Sequence, residues 1–429
     1  MSLHLVGEIR DPVHGYIRIT EVEKEVIDSP FVQRLRRVHQ LAGSYLVYPG
    51  AVHTRFEHVI GAMHIAGKIG QSLAEASHLD SDSLQELRLA ALLHDVGHGP
   101  FSHMYEEVLA PKKISHEDIT RRIIVETNLR DILETHGFDP TKISGLSVGK
   151  QKSAPAFMNE VIAGGLSADM MDYLLRDSHF TGAEFGMVDV QRIVNSLRAS
   201  GGHLALERAA LHTFEALLLA RYQMFKAVYF HRTVRAAELM LVHAMELADE
   251  TLGLTDLSDL DSYLDLTDEV VLHRLSSLSP SSPDLRRAKQ LAIDFRNRKL
   301  VKCAFEHLFQ RRDRRVQQLF ARSRVRRQTV QALAESARVD AVDILLDVPT
   351  TPSVPYTSSS EELRSVRLIG EGRDRRTTNL PISKLPLVGS IAGFMDVLRI
   401  YAPSEVRERV ERAASEFFGK ERSLPDPSF

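Results

Sequence analysis

Residues 84–103 read LQELRLAALLHDVGHGPFSH, and this stretch decides how the rest of the chain is read. Its first twelve residues predict a helix, capped by Ser81 or Ser83, that Gly97, Gly99 and Pro100 then terminate. An adjacent His-Asp pair at the end of a helix can set both side chains on one ion, because the backbone is free to turn there. A lone His-Asp dipeptide is common. HDVGHGPFSH (His94–His103) is far more specific, since glycines bracket a second histidine and a third follows five residues later.

Histidine is concentrated around this motif. Of 19 histidines, 11 fall within residues 1–116, where an even spread would place about five: His4, His14, His39, His53, His58, His64, His78, His94, His98, His103 and His116. Surface or hydrogen-bonded core histidines explain single members of this group better than they explain the cluster. Three further segments assemble with the motif into one candidate site: HTRFEH (His53–His58), SHED (Ser115–Asp118) and SADMMDYLLRD (Ser167–Asp177). A mixed imidazole and carboxylate set suits a borderline or hard divalent ion, and one further His and Asp beside the His-Asp pair complete four ligands. Such an ion polarises a phosphoryl oxygen and brings the pKa of its water towards ~7. In the last segment Asp169, Tyr173 and Asp177 stand four and eight apart, within about 80° on a helix. Met171, Leu174 and Leu175 form its core side, and an amphipathic helix with solvated acids is the plainer alternative.

The first two-thirds of the chain reads helical. Asp28-Ser29-Pro30 is a helix start, opening DSPFVQRLRRVHQL with Phe31, Leu35, Val38 and Leu41 at helical spacing. A break follows at Gly43 and Pro49-Gly50. A second helix is expected from Glu57 to about Ala76, with Ile60, Met63, Ile65 and Ala66 inward. From Leu211 to about Glu250 a pattern nearly free of Gly and Pro fits one helix or two. After about residue 330 the pattern changes. RVDAVDILLDV (Arg338–Val348), SVRLIG and VLRIYAP read as strands, and 349–360 as a loop, being Pro, Thr or Ser at ten of twelve positions. SEVRERVERAASEFF closes as a helix with Val406, Val410, Ala413 and Phe417 on one face. The expected organisation is a helical body over 1–330, a small α+β lobe over 331–421 and a tail over 422–429. No internal repeat is visible.

Composition narrows the function. Apolar residues make up 43% and charged residues 26%, an ordinary globular balance that excludes disorder as the main theme. With 54 Lys and Arg against 57 Asp and Glu the net charge is −3, which excludes a uniformly basic nucleic-acid coat. Residues 311–327 hold eight arginines and one aspartate, but with Phe320 as the sole aromatic they read better as a solvated face than as a nucleic-acid surface. Cys303 is the single cysteine, so disulfide scaffolds and Cys-rich zinc modules are out. No apolar run reaches the ~18 residues of a membrane span. Glu8, Arg10 and Asp11 stand within the first eleven residues, against a signal peptide, and a cytoplasmic protein is expected. No GxxxxGK[ST] loop occurs.

At these residues the sequence resembles the HD-domain phosphohydrolases. More narrowly it is similar to the deoxynucleoside triphosphate triphosphohydrolases, the group that includes the vertebrate sterile-alpha-motif and HD-domain enzyme and its bacterial relatives. The likeness runs through RDPVHGYI, DSPFVQRLRRVHQLAGSYLVYPGAVHTRFEHVIG, LLHDVGHGPFSH and MDYLLRD, then more weakly through Arg221–Arg232 to RNRKLVK and ILLDV. It implies a mainly α fold with a helical HD core at about 50–180. It implies a divalent metal (Mn, Fe, Mg, Zn or Ni) on His58, His94, Asp95 and Asp169. His103 is implied as general acid to the leaving 5′-oxygen, with Glu106 behind it and His98 and His116 near phosphates. Gln40 and Asp177 would hold the sugar 3′-hydroxyl, with Leu41 and Tyr173 crowding a 2′-hydroxyl. Arg55 and Arg221 would clamp phosphates, and Tyr229 would lie by the base or sugar.

The pattern departs from the vertebrate enzyme at three places. Met170 stands where that enzyme has a lysine, Glu106 where it has an aspartate, and Gly7 where it has another lysine. Asp28, Gln33 and Arg36, with Arg232, Arg298 and Lys302, match a second site where an activating nucleotide binds between subunits. A helix cap and surface charges are the plainer account of these six. The expected function is metal-dependent hydrolysis of a dNTP to deoxynucleoside and inorganic triphosphate in a homo-oligomer. An HD phosphohydrolase of a nucleoside monophosphate or cyclic nucleotide, and a nucleotide-gated nucleic-acid-binding protein, are the alternatives.

Overall fold

The computed structural model describes residues 3–75, 79–309, 319–320, 322–348, 365–370, 376–385 and 396–419. His78, residues 311–318 and 321 of the Arg-rich run, the 349–360 loop and the 422–429 tail lie outside them.

Helices dominate, as the mainly α reading expects. Two of them run between the molecule's two large apolar clusters. From the Arg55–Glu75 helix, Val59, Ile60 and Met63 enter one cluster, while Ile65, Ala66, Ile69 and Leu73 enter the other. From the Ser81–Leu93 helix, Leu89, Leu92 and Leu93 enter the first and Leu87, Ala90 and Ala91 the second. A helix apolar around its circumference is a buried helix, so the helices that deliver the HTRFEH and HDVGHGPFSH residues are enclosed between the two clusters. The Ala168–Thr181 helix packs across the first of them. Gly61 permits this approach, because a Cβ there would meet Asp172 Oδ1 at 1.9 Å.

The N-cap of the Ser81–Leu93 helix is Asp80, whose side chain accepts from the Ser83 amide. The expected serine caps therefore lie one and three residues too late. The helix expected over 28–41 is shorter. It spans Pro30–Arg34, tightens to a 3-10 turn at Leu35–Arg37 and leaves helical geometry at Val38. Long-range pairing ends it: His39 bridges Thr54, and the Gln40 amide donates to the His53 carbonyl at 3.0 Å. Ser29 is its N-cap, although the serine hydroxyl turns back to the Val26 carbonyl of the preceding Glu21–Asp28 helix. The 211–250 pattern is two helices, Leu211–Met224 and Arg232–Leu252, separated by a π-helical turn at Phe225–Tyr229.

Strands form three small sheets. Gly7–Asp11 and Gly15–Ile19 make a hairpin. Leu197–Ser200, His203–Glu207, Ser365–Ile369 and Thr377–Pro381 form a second sheet in that order, with the two middle strands parallel. Lys302–Phe309, Asp396–Ala402 and Leu345–Asp347 form an antiparallel third. Both larger sheets therefore join strands from before residue 310 to strands after 330. The strand expected over 338–348 is confined to Leu345–Asp347. Arg338 ends the Ser323–Ala337 helix with φ 54°, and Ala341–Asp343 is a 3-10 turn. The closing helix spans Arg407–Phe418 and buries Val410, Ala413 and Ala414. Its expected inner residue Phe417 is instead 55% exposed, while Phe418 packs on Phe305. Among the described residues no helix is long and apolar enough to cross a membrane.

Candidate metal centre and active site

The Ser81–Leu93 helix ends in His94 and Asp95, and the chain then folds back under close contacts. A Cβ on Gly97 would stand 2.3 Å from the Thr120 amide nitrogen, and one on Gly99 would stand 2.2 Å from the Tyr105 ring. Glycine is thus required at both positions, and the His116–Glu126 helix can press its first turn against the loop. Phe101 and Ser102 both take φ 58° before the His103–Leu109 helix starts.

His58, His94 and Asp95 offer ligand atoms that all lie within 4.8 Å of one another. Asp169 Oδ1 stands 3.1 Å from His58 Nε2 and 3.7 Å from His94 Nε2, while Asp95 oxygens lie 3.6 and 3.3 Å from the same two nitrogens. Both Nε2 atoms are buried with no hydrogen-bond partner among the described residues. Each ring's other nitrogen is occupied: His58 Nδ1 by Asp172 Oδ2 at 2.8 Å, and His94 Nδ1 by the Ala91 carbonyl at 2.7 Å. With Nδ1 of each ring so engaged, Nε2 is the nitrogen left to face the acids, as in a metal-ligating histidine held from behind. The donor set fits a divalent cation.

The surroundings of His58 carry strong charge. Burial alone would lower its pKa, yet Asp169, Asp172 and Asp95 raise it to about 10. Asp95 is held well below the ordinary carboxylate range despite its burial, chiefly by the Arg55 guanidinium. Asp172 is completely buried and pairs with Arg176 through both oxygens, at 2.8 and 2.9 Å. Arg176 continues to Asp11 at 2.8 Å, and His14 Nε2 reaches Asp172 Oδ1 at 2.6 Å. Sequence reasoning missed this support. Its signal was present, since Asp172 lies one turn after Asp169 and both Asp11 and His14 belong to RDPVHGYI.

A second cluster adjoins the first. Glu106 Oε1 lies 2.7 Å from His116 Nδ1, 3.2 Å from His103 Nδ1 and 3.6 Å from His98 Nδ1. Burial works to raise its pKa, but His103 and His116 override that and hold Glu106 far below the usual range. His116 is raised, its burial outweighed by Glu106. Burial and the nearby Arg55 and His116 cations push His98 well down, so that ring is neutral. His98 stacks on His116 with centroids 4.0 Å apart and lies 3.3 Å from Asp95 Oδ1. The His103 side chain is 67% exposed.

Comparison with known proteins places this arrangement. The profile of the HD domain covers residues 55–158, and that of the HD-associated region covers 188–371. The chain belongs to the HD-domain family. An uncharacterized protein of Methanocaldococcus jannaschii is 37% identical over 287 residues, 62% of this chain and 57% of that protein. The deoxynucleoside triphosphate triphosphohydrolase SAMHD1 homolog of Dictyostelium discoideum is 30% identical over 312 residues, 68% of this chain and 59% of that one. The chain thus spans a little over half the length of these curated relatives. A crystal structure of a hypothetical protein from Aquifex aeolicus superposes with a TM-score of 0.75 at 28% identity, over 96% of this chain and 100% of that chain.

Asp169 lies between the HD domain and its associated region. On its helix, Asp177 accepts from Tyr229 Oη at 2.7 Å through one oxygen and sits 2.8 Å from His53 Nε2 through the other. Gln40 Oε1 is buried without a partner among the described residues. Leu41 is half-buried against the apolar cluster that also takes Tyr173 and Tyr229. Arg221 Nη1 donates to Tyr173 Oη and lies 3.6 Å from the sulfur of Met170. The π turn delivers Tyr229 to within 6.3 Å of the Tyr173 ring, so Arg221 and Tyr229 both reach that tyrosine. Arg55 is buried on the HD helix. It donates through Nη1 to Asp95 and through Nε to Ser102 Oγ at 2.7 Å, which leaves Nη2 without a partner among the described residues.

The six residues matched to a regulatory site lie elsewhere. Gln33 donates to the Ile27 carbonyl and accepts from Arg36, whose guanidinium covers the Phe56 ring at 3.5 Å. Arg298 donates to the Leu46 carbonyl at 2.8 Å. Asp28 and Lys302 are exposed and Arg232 is half-buried.

Proposed function

We propose that the protein is a divalent-metal-dependent phosphohydrolase that cleaves a dNTP to deoxynucleoside and inorganic triphosphate. One observation carries this reading: two buried imidazole Nε2 atoms, without hydrogen-bond partners among the described residues and with each Nδ1 engaged from behind, face Asp95 and Asp169 beside an arginine whose Nη2 is also unpartnered there. A divalent ion on these four residues supplies Lewis-acid polarisation of a phosphoryl oxygen and a water of lowered pKa.

The chain's own groups do the rest. Arg55 Nη2 is free to donate to a phosphoryl oxygen, and Arg221 brings a second positive charge past Met170, where no lysine stands. Asp177, aligned by His53 and Tyr229, accepts from the sugar 3′-hydroxyl together with Gln40 Oε1. Tyr173 and Leu41 close the space a 2′-hydroxyl would need. His103, with Nδ1 held by Glu106, presents Nε2 to protonate the leaving 5′-oxygen, and His98 and His116 lie along the phosphates. Such positioning plus electrostatics is what phosphoryl transfer asks of a protein. The reading includes a cytoplasmic homo-oligomer whose Asp28, Gln33 and Arg36, with Arg232, Arg298 and Lys302, take an activating nucleotide. The support is the sequence match and the dNTP-hydrolase relatives.

Incubating the protein with Mn²⁺ and each dNTP, then resolving products chromatographically, tests the reaction. Deoxynucleoside and triphosphate are expected. Stepwise phosphate loss, or turnover of monophosphates or cyclic nucleotides alone, would replace this reading with another phosphoester. An unchanged rate on adding dGTP or GTP to sub-saturating substrate would remove the activating site.

A further inference from the structure

Asp268 lies within the HD-associated region, at the start of the Asp268–Ser276 helix and outside the HD domain. Its buried carboxylate is spent on the HD loop and the strand-like segment beside it. Oδ1 accepts from the Phe101 amide at 2.6 Å. Oδ2 accepts from the His39 amide at 3.0 Å and stands 2.7 Å from His39 Nδ1.

Both contacts lead to reacting groups. The His39 carbonyl accepts from Ser102 Oγ at 2.5 Å, Ser102 Oγ accepts from Arg55 Nε at 2.7 Å, and Arg55 Nη1 donates to Asp95. Phe101 and Ser102 are two consecutive non-glycine residues at φ 58°, directly before His103. Left-handed backbone at such residues persists only where its surroundings impose it. The hold on Phe101 comes from Asp268. Its neighbours grip the same loop: Tyr263 Oη donates to the Gly97 carbonyl at 2.8 Å, and Arg34 bridges the His98 and Leu266 carbonyls at 2.8 and 2.6 Å.

We infer that Asp268 is a positioning residue for the reaction. By clamping Phe101 and His39 it fixes the Phe101–Ser102 turn that aims His103 and, through Ser102, the orientation of the Arg55 guanidinium. The HD-associated region thereby completes the geometry of a loop that belongs to the HD domain. Asp268 is bonded to none of the four proposed metal ligands, so its loss should misplace the acid and the arginine while leaving the ion in place.

The test uses the Mn²⁺-loaded protein with Asp268→Ala, Ser102→Ala and the double variant. The activity readout rests on the proposed function, so amide exchange without substrate is measured as well. In Asp268→Ala, exchange at Ser102 and Met104 should quicken about tenfold, with the Arg55–Glu75 helix as protected as before. Unchanged exchange in the loop overturns the inference, even if the wild type proves inactive on dNTPs. Where wild type turns over, Asp268→Ala should lower kcat/KM by about 10- to 100-fold, the scale expected of a misplaced catalytic group. Its Kd for Mn²⁺ should change much less than kcat/KM, since Asp268 reaches the proposed ligand Asp95 only indirectly, through Ser102 and Arg55. The double variant should be no slower than the slower single, because Ser102 lies on the route Asp268 uses. Multiplying effects would mean independent roles and overturn it, as would a parallel collapse of Mn²⁺ binding. Should Asp268→Ala not fold, Asp268→Asn takes its place, keeping the side-chain volume while one of the two carboxylate acceptors becomes a donor, with the same direction of effect expected.

Discussion

His58 Nδ1 lies 2.8 Å from Asp172 Oδ2, a carboxylate with no exposed surface, so Nε2 is the nitrogen that faces Asp95 and Asp169. Asp172 is fixed in turn by Arg176 and His14. The result is an imidazole whose orientation is set by the Ala168–Thr181 helix and, behind it, by His14.

The Asp172→Ala variant should therefore bind Mn²⁺ about 10- to 100-fold more weakly, the usual cost of removing the carboxylate behind a ligating histidine. It should also lose about 3 kcal/mol of stability, because Arg176 keeps only Asp11 as a buried partner. Titration calorimetry and denaturant unfolding read the two effects. Unchanged affinity would mean that His58 is not a ligand.

Gly61→Ala should reproduce much of this without removing any polar group. Its added methyl would overlap Asp172 Oδ1 and stand 2.3 Å from Arg176 Nη2, forcing the 168–181 helix away. Weaker Mn²⁺ binding together with a lower Tm is expected. Wild-type behaviour in both would show that the packing yields there.

His103→Ala should cut kcat by about 10²–10⁴, the range for a lost general acid, with Mn²⁺ affinity and Tm unchanged because the exposed ring supports no core. Equal loss with a substrate whose leaving group needs no proton would count against the acid role.

Glu238 supplies a pH dependence away from the site. Burial, opposed in part by Arg235, raises its pKa to about 7. Its folded value lies above the unfolded one, so the folded state takes up a proton. The stability this gives is full below the unfolded carboxylate range and is lost as pH rises through about 7. Glu238→Gln should abolish that dependence, so that the difference in unfolding free energy between wild type and variant changes by about 3 kcal/mol at most between pH 4 and pH 8. A flat difference would place Glu238 within the ordinary range.

Much of the site was legible along the chain. The LQELRLAALLHD pattern runs two residues past the helix end at Leu93 and so marks the His-Asp turn, and Asp169, Tyr173 and Asp177 do share a helix. The periodicity of 28–41 misled because it carries no information about His53, whose carbonyl takes the Gln40 amide out of the helix. Phe417 and Phe418 lie about 100° apart on the closing helix, and the packing of Phe418 on Phe305, which no pattern within the helix contains, selects which of them turns inward.

Local order and ligand chemistry were thus set by the sequence alone: which segments are helices, where glycines let the backbone turn, and which imidazoles and carboxylates are present to hold an ion. Only the tertiary structure decided that Asp172 stands behind His58, that Glu106 gathers three histidines, and that Asp268 holds a loop 167 residues away. These contacts depend on the angles at which buried helices cross, and many residues far apart in the chain set those angles together. A periodic pattern shows which face of a helix is buried, but not which side chain of another helix meets it.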